Sequence, residues 1–185
     1  MRAALLGALA ALLLAGSAAA QQDQPPNSVL LVAKPGLRDP NFARTVVLAT
    51  RAGEGHTVGV ILNRPTGARL GSRPLAFGGP VLPASRIALF VAQAPPEAAA
   101  FPVLERVYLT LHPRNVEALI EQPEARVRLF AGFAAWSPGQ LERELDEASW
   151  YVLPAEEALL FRETTDGLWE ELVARALGRQ ARIAE

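Results

Sequence analysis

From Val29 onward, short apolar runs alternate with clusters of glycine, proline and asparagine. The run 29–33 stops at Lys34-Pro35-Gly36, as a buried strand would. Residues 45–50 and 57–63 are rich in β-branched side chains, and Ala52-Gly53-Glu54-Gly55 between them reads as a hairpin connection. Residues 74–77, 87–91, 106–110, 126–130 and 149–153 bring the expectation to about eight strands. The segment 126–130 alternates cleanly and sets Arg126 and Arg128 on one face.

Helical spacing is sparser. Asp39-Pro40 supplies an N-cap and a first-turn proline for a short turn through Phe42 and Ala43. Val116, Leu119 and Ile120 share one face of a helix over 113–121. Ser137-Pro138-Gly139-Gln140 reads as a capping box, and Leu141 and Leu145 follow at i and i+4. Asp166 can cap a last helix whose apolar stripe is Leu168, Leu172, Val173, Ala176 and Leu177. Residues 64–73 and 94–101 read as loops. Strands that pair early as hairpins and alternate with helices late predict an α+β (mixed α/β) fold. The expected architecture is a single compact domain with one mixed, mainly antiparallel β-sheet flanked by short helices.

The first twenty residues follow a different grammar. Arg2 precedes an apolar run from Ala3 to Ala15, and small residues end at Ala18-Ala19-Ala20. This is the pattern of a cleavable secretory signal, with cleavage expected after Ala20. The run is too short for a membrane span of about 20 apolar residues. The expected organisation is a signal over 1–20, a polar linker over 21–28, the domain over 29–178 and a tail over 179–185. The expected location is periplasmic or secreted, with no stable membrane insertion after cleavage.

Composition narrows the chemistry. The chain has no cysteine, which removes disulfides, thiolate catalysis, cysteine zinc sites and a lipoprotein anchor. Its formal charge is −1, Lys34 is its single lysine, and it has no basic block, so nucleic-acid binding is not expected. His56 and His112 stand far apart without ligand spacing, and neither a metal nor a cofactor is expected. There is no G-x-S-x-G elbow. Glu142, Glu144, Asp146 and Glu147 form a charge run of the kind that faces solvent. Gly78-Gly79-Pro80-Val81 lacks the phosphate-loop lysine and reads as a tight turn, or else as a nest of N–H groups for an anion. Asn63-Arg64-Pro65-Thr66 lies at a strand end, where Arg64 could offer its fork to a carboxylate or phosphate. The candidate ligand pocket is therefore Asn63, Arg64, Gly78, Gly79, Arg86, Trp136 and Gln140, with no catalytic residue assigned.

Four motifs then assemble in order: LLVAKPGLRDPNFARTVVLAT, VGVILNRPT, FGGPV and RLFAGFAAWSPGQLERELDEASWYVLPA. In this arrangement the chain resembles the AlgH/YqgE-type family of bacterial proteins, from Val29 to about Leu177. The resemblance implies a compact α/β or α+β domain, no firmly attached activity or cofactor, and a regulatory label. Typical members of that family look cytosolic, and Phe133-Ala134-Ala135 here replaces a glycine-containing pattern before Trp136. A secreted protein cannot act on the chromosome, so the signal disfavours a transcriptional role. The expected function is a non-enzymatic binding or interaction module for a small ligand or an envelope protein. The alternative is an enzyme with a polar cleft around Arg64.

Overall fold

The computed structural model describes residues 28–183. The signal and almost all of the linker expected from the sequence lie outside the described residues. Among the described residues, ten strands and four helices follow in the order β1 (Val29–Ala33), β2 (Val46–Arg51), β3 (Thr57–Ile61), β4 (Pro65–Leu70), β5 (Arg73–Phe77), β6 (Val81–Val91), β7 (Phe101–Leu104), β8 (Val107–Thr110), α1 (Pro113–Ile120), β9 (Val127–Trp136), α2 (Gln140–Asp146), β10 (Trp150–Pro154), α3 (Glu157–Leu160) and α4 (Leu168–Ile183). The sheet order is β10-β1-β2-β3-β9-β6-β8-β7, with the β4–β5 hairpin attached to β9. Only β5 and β9 run parallel among these pairs, so the fold is α+β with a mixed, mainly antiparallel sheet.

The strands form where β-branched and large apolar residues alternate or run together, and the core follows from them. Leu30, Leu31, Val47, Leu48, Val60, Ile61, Ile87, Leu89, Leu109 and Phe130 are buried. The N-terminal end of α4 closes this core with Leu168, Trp169, Leu172 and Ala176, while Leu177 of the expected stripe stays exposed. The α1 helix covers a smaller cluster through Val116 and Leu119. Thr50 Oγ1 donates to the Pro102 carbonyl at 3.2 Å, tying β2 to β7 so that the sheet curls over the larger core.

β9 organises the whole sheet. Its Ala134–Trp136 end pairs with β3, its Leu129–Ala131 stretch pairs with β5, and β6 lies on the opposite edge. The chain leaves β5 at Phe77 and enters β6 at Val81, so Gly78-Gly79-Pro80 must cross β9, and it does so at Gly132. Gly78 N–H donates to the Ala131 carbonyl at 2.8 Å, and its own carbonyl accepts from Ile61 N–H at 2.9 Å. A Cβ on Gly78 would sit 2.2 Å from the Gly132 oxygen, and one on Gly79 would sit 2.3 Å from the Phe133 carbonyl carbon and oxygen. These glycines answer to the close approach of two backbones.

Several local expectations are corrected. Residues 65–70, expected as a loop, form β4, a strand exposed from Pro65 to Arg69 that carries no apolar alternation. β7 begins at Phe101, inside another expected connection, and α3 was not expected. Ser137-Pro138-Gly139-Gln140 is a type II turn rather than a full capping box. Gly139 takes φ 73° and ψ −2°, so the Gln140 N–H reaches the Ser137 carbonyl at 2.9 Å and the Ser137 hydroxyl makes no cap bond. Only the return half of the box survives, from Ser137 N–H to Gln140 Oε1 at 3.2 Å.

Candidate functional site

Arg128 of β9 and Arg126 just before the strand line one cleft, which is completed by the end of β3, the β5 strand and the segment after α3. The cavity measures about 440 Å³. Arg73, Arg126, Arg128 and Arg162 line it, with Leu62, Leu75, Leu129 and Phe161 as apolar wall and Glu163 as the one carboxylate among its lining residues.

The four arginines are not equivalent. Arg126 is ion-paired with Glu157 and lies 4.7 Å over the Phe161 ring. Arg162 is ion-paired with Glu171 at 2.6 Å. Arg73 donates to the Gln122 and Pro123 carbonyls. Arg128 donates from Nη1 to the Leu160 carbonyl at 2.8 Å and from Nη2 to the Leu62 carbonyl at 2.7 Å. Neither Arg73 nor Arg128 has an ion-pair partner among the described residues. Burial pulls the Arg128 pKa down from its ordinary value to about 10, which leaves it charged at neutral pH. The folded value lies below the unfolded one, so this buried charge costs stability at every pH below 10. That cost is relieved only as the pH rises from 10 toward the unfolded value. The cleft therefore holds a desolvated cation without a counter-charge, an arrangement suited to an entering anion.

The residues singled out from the sequence are distributed over three places. Asn63 accepts from Val46 N–H at 2.8 Å and donates to the Arg44 carbonyl at 3.0 Å. Arg64 donates to the Ala43 carbonyl at 3.0 Å and the Pro40 carbonyl at 3.4 Å. Both fasten the 39–44 turn, in which the Asp39 carboxylate takes Asn41 N–H at 2.8 Å. Phe42 stands on this turn and packs 6.2 Å from the Trp136 ring and 5.8 Å from Trp150. Trp136 and Trp150 each donate their indole N–H to Glu144 Oε2 at 2.9 Å, and Gln140 donates to Oε1 at 3.0 Å. Asn63, Arg64, Trp136 and Gln140 thus belong to one network, bonded to protein throughout. Glu144, expected on a solvated face, is the hub of its aromatic half.

Gly78 and Gly79 lie at the β9 crossing. Arg86 donates to the Ala84 carbonyl at 2.9 Å and lines a separate apolar groove of about 400 Å³ with Leu82, Ile87, Val116 and Phe133. Of the cleft residues, Arg126 and Arg128 carried a sequence signal, two arginines on the polar face of an alternating strand. Arg73 and Arg162 come from segments that only the tertiary fold brings near. Among the described residues no group of three or more His, Cys, Asp or Glu side chains is placed to hold a metal ion, and no helix is long and apolar enough to cross a membrane.

Comparison with known proteins agrees with this fold. Residues 30–181 match the family model described as AlgH-like, DUF179. A UPF0301 protein of Streptomyces coelicolor is 37% identical over 171 residues, covering 84% of this chain and 89% of that one. A UPF0301 protein of Methylococcus capsulatus is 35% identical, covering 76% and 83%. The solution structure of the AlgH protein from Pseudomonas aeruginosa superposes with a TM-score of 0.67 at 26% identity, covering 81% of this chain and 87% of that one. A crystal structure of a Corynebacterium diphtheriae protein gives a TM-score of 0.66 at 26% identity, covering 84% and 88%. Motif order, sheet topology and these matches agree, and the chain belongs to the AlgH-like family of UPF0301 proteins.

Proposed function

We propose that the chain is an exported, non-enzymatic binding module that takes a small anionic ligand in the cleft over Arg128. The observation that carries this reading is the Arg128 guanidinium, desolvated, held by two backbone carbonyls and lying 5.3 Å over the Phe130 ring, with no ion-pair partner among the described residues. A guanidinium is too weak an acid to act as a general base or acid near neutrality, and the wall's carboxylate, Glu163, is exposed. The chemistry of the wall favours holding a ligand over transforming it. Export is supported by the charged, apolar and small-residue zones of the first twenty positions.

Inorganic phosphate and benzoate, each titrated into the purified protein during thermal unfolding, test the binding. An anion at a hundred times its dissociation constant should stabilise the fold by about 2.7 kcal/mol, a shift of several degrees in Tm. Arg128→Gln should remove that shift. The affinity for benzoate, fully ionised throughout, should be flat from pH 7 to 9 and fall as the pH passes 10, where Arg128 loses its proton. If neither anion raises Tm in the unsubstituted protein, the reading is wrong. Export has its own test, the N-terminal sequence of the protein recovered from cell fractions. Gln21 should be the first residue, in the periplasmic or culture fraction. An intact Met1 form confined to the cytoplasm would overturn export.

A further inference from the structure

We infer that the apolar groove beside the β6 bulge is where two copies of this chain meet, about a two-fold axis that sets Leu82 of each copy in the groove of the other. The groove shares no lining residue with the Arg128 cleft, so the inference stands apart from anion binding there.

The sheet itself opens the groove. Val81 pairs with Phe133 and Arg86 with Ala131, so residues 82–85 of β6 stand opposite Gly132 alone. Bulges gather where a strand re-aims its side chains. This one is packed against β9, since a Cβ on Gly132 would lie 3.1 Å from the Pro83 Cα. At its start Leu82 takes φ 45°, a left-handed conformation that a bulky side chain rarely adopts. The strained residue is not tucked into the core, because Leu82 remains 40% exposed. Exposed leucines are ordinary when scattered singly. Leu82 instead stands on the rim of a groove of about 400 Å³, with Ile87 and Phe133 as buried floor and Val116 and Ile120 of α1 as wall. A strained knob and an apolar hole thus lie side by side.

A knob beside a hole is self-complementary, which is what a two-fold interface requires of the one patch that both copies present. The rim charges have the same property. Arg86 and Glu117 both line the groove and are exposed, yet they do not pair with each other. Neither has an ion-pair partner among the described residues, and Arg86 gives one N–H to the Ala84 carbonyl. Across a two-fold axis Arg86 of each copy meets Glu117 of the other, so the contact forms twice. A singly charged ligand in the groove would meet one attractive and one repulsive group instead. Exposed pairs of this kind set register and add little affinity. Burial of Leu82 and the groove floor supplies the drive.

Sedimentation equilibrium of the purified protein tests this. The dissociation constant should be on the order of 10–100 μM, in the range of small, transient interfaces. Leu82→Gly removes the knob and suits the left-handed backbone. It should weaken association at least about tenfold, while the dilute monomer unfolds no earlier than the unsubstituted protein. Arg86→Glu and Glu117→Arg each create two like-charge contacts per dimer, and each should weaken self-association about tenfold or more. Mixed in equal amounts, these two variants should associate within about threefold of the unsubstituted affinity, because each offers the charges that the other lacks. Neither a folding defect nor a small-ligand role for the groove predicts that recovery. A protein that stays monomeric up to about 1 mM overturns the inference, and a rise in its Tm with octanoate would then assign the groove to a small apolar ligand. Dimers that persist undiminished in Leu82→Gly, or a mixture of the two charge variants that stays monomeric, overturn it as well.

Discussion

Gly79→Ala is expected to destabilise the protein by more than about 3 kcal/mol, in the range of severe overpacking. The added Cβ would lie 2.3 Å from the carbonyl carbon of Phe133 and 2.5 Å from the amide nitrogen of Ala134. Both atoms are backbone of β9, so no rotamer change can make room. Relief requires the crossing segment to lift away, which would break the Gly78 N–H bond to Ala131 and the Ile61 bond to Gly78. Because β5 and β6 attach to β9 on either side of this crossing, the displacement would spread into both ladders. Gly53→Ala is the matched control. It also places a side chain at positive φ, 75°, but nothing lies within 4 Å of the new Cβ. Its cost should stay at roughly 1–2 kcal/mol, the ordinary cost of a left-handed alanine. Urea unfolding of the two variants gives the comparison. Equal losses would mean that backbone conformation alone, and not the meeting of two backbones, requires glycine at position 79.

The same crossing marks where the sequence stops being legible. A β-branched run says that a strand is buried, and β1, β2, β3 and β8 could be read for that reason. FGGPV says only that the backbone does something glycine allows, and the partner at Gly132 lies more than fifty positions away. β4 was hidden because none of its residues is buried, so no alternation marks it. Ser137-Pro138-Gly139-Gln140 has the residues of both a capping box and a type II turn, and Gly139 decides for the turn by entering the left-handed region.

The site was legible in a similar fraction. Arg126 and Arg128 on one face of an alternating strand were visible, but their surroundings were not. Whether an arginine is neutralised depends on glutamates in α3 and α4, which local pattern cannot align with β9. Arg64 had the right chemistry in an attractive place. Its guanidinium is nevertheless spent on the carbonyls of the 39–44 turn, whose left-handed Arg44, φ 57°, leaves backbone acceptors to be satisfied.

Glu144→Ala should cost about 3 kcal/mol, a large effect for a half-buried glutamate on a short surface helix. Trp136 and Trp150 are 2% and 4% exposed, and both point their only donor at Glu144 Oε2. Removing the carboxylate would leave two buried indole N–H groups without an acceptor, at about 1–3 kcal/mol each before relaxation. Glu144→Gln should cost less, because its amide oxygen can still accept from both indoles while its NH₂ meets the Gln140 amide as a second donor. Trp169 provides an internal reference, since its indole donates to the Ala33 carbonyl at 2.7 Å under α4. The substitution should therefore alter near-UV circular dichroism from the Trp136–Trp150 pair, whose rings meet edge to face at 6.5 Å, with the Trp169 environment retained. Because Phe42 packs on both rings, the 39–44 turn should loosen with them, and amide exchange at Ala43 and Thr45 should quicken. A loss below about 1 kcal/mol with unchanged exchange would show that water replaces the carboxylate and that the turn is held by Asn63 and Arg64 alone.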